Sequence, residues 1–157
     1  MGLLLKRTTL AALNSDQVRT WRHVRCATYS PTAATVEKFT VTGGDALILL
    51  MFATIDTTLE TTASNVSVQV NPTTGTTDVI ATTADATALA AGDRILVEGD
   101  GTAAVMAGTL IYPLGAPVPF LAPIGCIEVI HAAAMTGTLH WDLWYEPLGE
   151  NATIVGV

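Results

Sequence analysis

The chain reads as an all-β protein, a β-sandwich of jelly-roll type with about eight short strands in a single domain. Three observations point there. Thr, Val, Ile and Ala dominate, and the β-branched ones favour a pleated, half-buried surface over a helix. Several short segments alternate apolar and polar residues with a period of two. Turn-forming pairs punctuate the chain between them: Gly43-Gly44, Asn71-Pro72 through Gly75, Gly99-Asp100-Gly101 and Thr136-Gly137.

Taken in order, Asn14 to Arg25 is open to two geometries. Asn14 with Gln17 resembles a helix cap, and Val18, Trp21 and Val24 follow at helical steps. As a strand, the same segment places Arg19, Trp21, His23 and Arg25 on one face. Strands are expected at Thr35 to Thr42 and at Ala46 to Thr54. The cleanest is Asn65 to Asn71, where Val66, Val68 and Val70 alternate with Ser67 and Gln69. Asp78 to Thr83 follows, then Thr83 to Ala91, a loop with at most a short helix that stops at Gly92. Arg94 to Glu98, Ala103 to Tyr112 and Cys126 to Ala132 are further strands. In the last, Thr138 to Glu146, Leu139, Trp141, Leu143 and Tyr145 share one face, and His140, Asp142, Trp144 and Glu146 share the other.

A chain of 157 residues is one domain's worth and buries a core without disulfides or metal. Charge divides it unevenly. Residues 1 to 38 hold six of the seven bases and two acids, a net of +4, while residues 39 to 157 hold Arg94 against twelve acids, a net of −11. The expected organisation is a basic arm, residues 1–38, and a sandwich body, residues 39–157. Charged residues make up only 13% of the chain, and something must cover the extra apolar surface. A membrane span does not, because Ala46 to Ala53 is far short of the roughly 18 residues required. Residues 102–127 carry no charge but are broken by Pro113, Pro117, Pro119 and Pro123. Contact between subunits is the better explanation. Met1 to Leu13 does not read as a signal peptide, since Lys6 and Arg7 follow the leucines, so export is unsupported. Cys26 and Cys126 show no metal spacing and read as free thiols, with a single bridge as the alternative.

Chemistry is sparse. The chain has no phosphate loop, dinucleotide fingerprint, zinc-protease motif or nucleophile elbow, and no catalytic residue, cofactor site or metal site is assigned. His131 and His140, with Asp142, form a two-histidine, one-carboxylate set if their segments make a hairpin, but signature spacing is lacking. Asp93, Glu98 and Asp100 flank a glycine turn that reads as a hairpin rather than a calcium loop. Nucleic acid is not an expected partner, because the total charge is −7 and basic and aromatic residues interleave only around Trp21. The arm residues Lys6, Arg7, Arg19, Trp21, Arg22, Arg25 and Lys38 are instead expected to dock on an acidic protein surface. The stiff apolar run Pro113, Leu114, Pro117, Pro119, Phe120, Leu121 and Pro123 would be sticky if exposed. With Trp144 it is the expected self-association surface.

The pattern over residues 35 to 148, in particular Ala86 to Val97 and the closing Met135 to Leu148, resembles the small β-structured virion proteins of tailed bacteriophages, especially capsid decoration, or cement, proteins. The resemblance implies a jelly-roll-like fold, frequently trimeric, seated on the outer capsid surface of a virion made in the host cytoplasm. It implies no cofactor, a partner in the major capsid protein, and a structural role without catalysis. The second reading is a carbohydrate- or receptor-binding module of a phage tail or fibre, with Trp144 and Tyr145 as stacking platforms.

Overall fold

The computed structural model describes residues 21–62, 64–81, 86–97, 105–108 and 118–157, with only the backbone described for 105–108. Among these residues there is no helix, and eleven strands form two antiparallel sheets. They are β1 (Arg22–Arg25), β2 (Thr35–Thr42), β3 (Ala46–Thr57), β4 (Val66–Pro72), β5 (Asp78–Ala81), β6 (Arg94–Val97), β7 (Val105–Gly108), β8 (Phe120–Ala122), β9 (Gly125–His131), β10 (Thr138–Pro147) and β11 (Thr153–Gly156). The six-stranded sheet runs β1-β10-β3-β6-β7, with β8 also paired to β3. The five-stranded sheet runs β11-β2-β9-β4-β5.

All eight expected strands are represented, and β1, β8 and β11 are additional, while residues 82–83, 98, 103–104 and 109–112 of the expected spans lie outside the described residues. The open choice at residues 22–25 resolves as strand, because β10 offers an unpaired edge: Arg22 lies opposite Tyr145 and Arg25 opposite Asp142. The proline-flanked β8 is three residues long and pairs only at Ala46–Ile48 of β3, as expected of a segment that lacks ladder donors on either side. Gly92 takes φ 94° at the end of the Ala-rich loop, and Ala88 there also has positive φ.

The core fills the space between the sheets. Leu139, Trp141, Leu143 and Tyr145 of β10 meet Phe39 and Val41 of β2, Val66, Val68 and Val70 of β4, and Ile127 and Val129 of β9 in one buried cluster. Complete burial of a side chain of this size is worth roughly 1.5–3 kcal/mol. A two-sheet core of this extent therefore holds the domain together without a bridge, and Cys26 and Cys126 are both free.

The expected boundary after residue 38 does not match a break in the fold. Residues 22–29 run along β10, with Cys26 N–H donating to the Trp141 carbonyl at 3.0 Å and Tyr29 exchanging both backbone bonds with Leu139. Residues 30–34 then cross to the other sheet, and β2 pairs with β9 and β11. Residues 22–38 thus complete both sheets of their own body, because their alternating apolar residues have buried edges to cover. Residues 1–20 lie outside the described residues.

Candidate functional site

The two outward faces differ in chemistry. On the five-stranded sheet, the side chains facing away from the core include Glu37 and Thr40 of β2, Ser67, Gln69 and Asn71 of β4, and Cys126 and Glu128 of β9. Most of them bond to one another, and Val79 of β5 and Val155 of β11 are exposed on the same face. Gln69 and Asn71 both donate to Glu128, Thr40 donates to Glu37, and the Thr42 and Thr153 hydroxyls share a bond at 2.9 Å. Burial opposes ionisation of Glu128, but hydrogen bonds from Gln69, Asn71 and Cys126 outweigh it and hold its carboxyl below the usual range.

On the six-stranded sheet, the outward side carries an apolar stripe. Leu121 of β8 lies opposite Leu47 of β3, and Leu50 of β3 lies opposite Trp144 of β10. Trp144 stacks on His23 of β1 at 4.3 Å between ring centroids, and on Phe52 of β3 at 5.4 Å. Phe52 in turn lies opposite Leu96 of β6 and carries the Arg94 guanidinium 4.9 Å from its ring centre. Leu121 is 51% exposed, and Trp21, one residue before β1, is 68% exposed.

Beside the stripe sits a hydrogen-bonded polar chain centred on Asp142. Alternation along β10 points this carboxylate outward, yet its neighbours cover it almost completely. Arg25 donates to both its oxygens, at 2.9 and 3.1 Å, His23 Nε2 lies 2.7 Å away, and His140 Nε2 lies 3.3 Å away. The His140 Nδ1 atom is 2.9 Å from Asp56, which also accepts from the Thr28 hydroxyl at 3.2 Å. Burial raises the Asp142 carboxyl, but the bonds from Arg25 and His23 prevail and hold it below the usual carboxylate range. The same pairing raises Arg25.

These contacts reassign the expected arm residues. Lys6, Arg7 and Arg19 fall outside the described residues. Trp21 is exposed as expected, and Arg22 is tied to the Ala152 carbonyl at 3.2 Å. Arg25 is committed to Asp142. Lys38 is only 5% exposed, with its ammonium 3.2 Å from the centre of the Tyr29 ring, so it is not available to a partner. The bulge in β2 between Glu37 and Phe39 turns it inward. Of the expected self-association residues, Pro113, Leu114 and Pro117 lie outside the described residues. Pro119, Leu121, Pro123 and Trp144 keep surface available, whereas Phe120 belongs to the core because alternation in β8 points it inward.

The histidine set is also corrected. His131 and His140 sit in different sheets, so no hairpin brings them together, and His131 bonds to Tyr29 inside the core. Among the described residues, no group of three or more His, Cys, Asp or Glu is placed to hold a metal ion. Asp93 instead closes its own turn by accepting from Ala90 N–H at 2.9 Å, while Glu98 and Asp100 lie outside the described residues. Tyr145 is buried, and its hydroxyl accepts from Ile154 N–H, which removes it as a stacking platform. Trp144 is flanked by rings from the strands on either side of β10. No helix among the described residues is long and apolar enough to cross a membrane.

Sequence reasoning placed Trp144 and Asp142 on one face but missed the part played by Asp56, Leu47 and Phe52. The available signal was the alternation of β3, masked by its nearly continuous apolar run. No family model, curated protein or solved structure matches the chain.

Proposed function

We propose that this chain is a non-enzymatic structural protein that decorates and stabilises a viral shell, binding coat subunits and associating with its own copies as a trimer. The observation that carries this reading is the contrast between the two outward faces. One is mostly polar, with Val79 and Val155 as separate exposed apolar side chains, and the other presents Leu47, Leu50, Leu121, Phe52 and Trp144 as a stripe with Arg94 at its margin. Apolar surface of this kind, with aromatic anchors and an arginine at its margin, is the composition of a protein contact.

The mechanism is adhesive. The ion pairs around Asp142 hold β1 rigidly against β10, so His23 and Trp144 are set before any partner arrives, and little ordering cost remains at binding. Each contact is weak, and repetition over a lattice supplies strength through avidity. Leading residues Lys6, Arg7 and Arg19 add attraction to acidic patches on the coat.

Cosedimentation with empty shells assembled from phage major coat protein, together with native mass measurement, tests the proposal. The chain binds the shells and self-associates, and Leu121→Asp, an exposed position, lowers both while leaving the circular dichroism spectrum unchanged. A monomer that ignores shells at micromolar concentration would overturn it.

A further inference from the structure

We propose that His131 is the acid-sensitive element of a clasp that fastens the crossing segment, residues 26–34, to the core. This segment leaves β1 in one sheet and enters β2 in the other, and its fixed point is the Tyr29 hydroxyl. Trp141 Nε1–H donates to that oxygen at 3.0 Å, and the oxygen lies 2.8 Å from His131 Nε2. An indole N–H only donates, so Tyr29 accepts from Trp141, and in the proposed clasp it turns its own proton to His131. In this arrangement His131 Nε2 is the acceptor and the imidazole carries its single proton on Nδ1, which has no hydrogen-bond partner among the described residues.

A second proton breaks this relay. Placed on Nε2, it confronts the Tyr29 O–H, and the hydroxyl must turn its proton into apolar surroundings or withdraw. It also puts a positive charge in a site that is 2% exposed. The groups facing His131 offer no compensation. β2 contributes the Lys38 ammonium seated on the Tyr29 ring, β4 contributes Val66 directly opposite, β10 contributes Trp141, and the crossing contributes Tyr29 and the Cys26 thiol, which accepts from Trp141 N–H. Burial, reinforced by Lys38, pushes the imidazole down to about 4. Burial likewise lowers Lys38 and raises the Tyr29 phenol, so neither supplies a negative charge.

Withdrawal of Tyr29 breaks its two backbone bonds to Leu139, at 2.9 and 3.0 Å. β1 stays in place. Its anchor, Asp142, is held below the usual carboxylate range and remains ionised while His131 takes up its proton. Acid therefore frees the crossing before the strand, a local opening with a defined trigger.

Hydrogen exchange on the full chain, expressed as protection factors from about pH 7.5 to about pH 4, tests the clasp. Residues 26–34 lose protection about tenfold or more below about pH 5, while β4 and β9 keep theirs. His131→Gln retains an acceptor for Tyr29 but takes no proton, so its crossing stays protected throughout. In Tyr29→Phe the crossing is already open at the upper pH. The proposal fails if His131→Gln opens over the same range, if the native chain stays closed down to about pH 4, or if all strands lose protection together. Should His131→Gln not fold, the ring titration of His131 in the native chain decides. Agreement between its midpoint and the loss of protection supports the clasp, and separation by more than about one pH unit overturns it.

Discussion

Arg25 grips Asp142 with two parallel hydrogen bonds, Nε to Oδ1 at 2.9 Å and Nη2 to Oδ2 at 3.1 Å, across neighbouring strands of one sheet. The two ends of this pair differ in exposure, 57% for the guanidinium side chain and 2% for the carboxylate side chain. Substitutions at the two ends are therefore unequal. Asp142→Ala strips an acceptor from Arg25, His23 and His140 together, and is expected to cost roughly 1–3 kcal/mol in thermal or urea denaturation. Arg25→Ala leaves the carboxylate two imidazole neighbours and costs less. Equal losses would show that the cluster contributes no stability beyond a surface ion pair.

Global stability is expected to fall on the acid side. His131 is depressed in the folded chain to about 4 from an ordinary 6.5. Above 6.5 both states are neutral there and the contribution is complete. As pH drops, the unfolded chain binds the proton first, and stability declines by up to roughly 3 kcal/mol by about pH 4. Asp142, also depressed, adds a further loss only below the ordinary carboxylate value of 3.8. Urea midpoints collected at several pH values check this, and His131→Gln removes the upper part of the decline.

Gly156 of β11 has no room for a side chain. A Cβ there would meet the Arg25 carbonyl and the Cys26 Cα, at the corner where Val157 also accepts from Ala27 N–H and donates to the Lys38 carbonyl. Gly156→Ala is expected to push β11 away from the end of β1 and lower stability by roughly 1–3 kcal/mol. Gly92, whose Cβ position is open, is constrained only by its positive φ, and Gly92→Ala is expected to cost about 1 kcal/mol. Melting temperatures of the two variants rank the effects.

Under the proposed shell binding, the leading segment and the stripe are expected to contribute separately. A chain starting at residue 21 keeps every strand of the described residues and is expected to bind shells more weakly, with the difference vanishing at high salt. Trp144→Ala is expected to weaken binding at all salt concentrations, because it empties the space between His23 and Phe52. Salt titration of the cosedimentation assay separates the two.

Most of the body was legible in the sequence because period-two alternation survives in strands with one dry face. Asn65 to Asn71 and Thr138 to Glu146 are such segments, and both have the expected inward and outward sets. β1 was legible only as one of two options, since its four residues are defined by the waiting edge of β10 and not by their own pattern. β8 and β11 are too short to carry a signal. The charge split was real in composition but misleading in space. Lys38 was counted as a docking charge, and a bulge one residue away sends it inward onto Tyr29, a displacement that periodicity does not register. The Tyr29, His131 and Trp141 relay joins segments more than one hundred residues apart, beyond the reach of any local motif.

Were the chain to settle on a target through its leucine and tryptophan side, as proposed, the side left outward would be chemically mixed. Glu37, Glu128, Gln69 and Asn71 there already bond within the sheet, while Val79 and Val155 stay exposed. Further copies would meet two separated valines in place of an aromatic stripe, so the proposed attachment predicts saturable loading, with little growth in thickness as concentration rises.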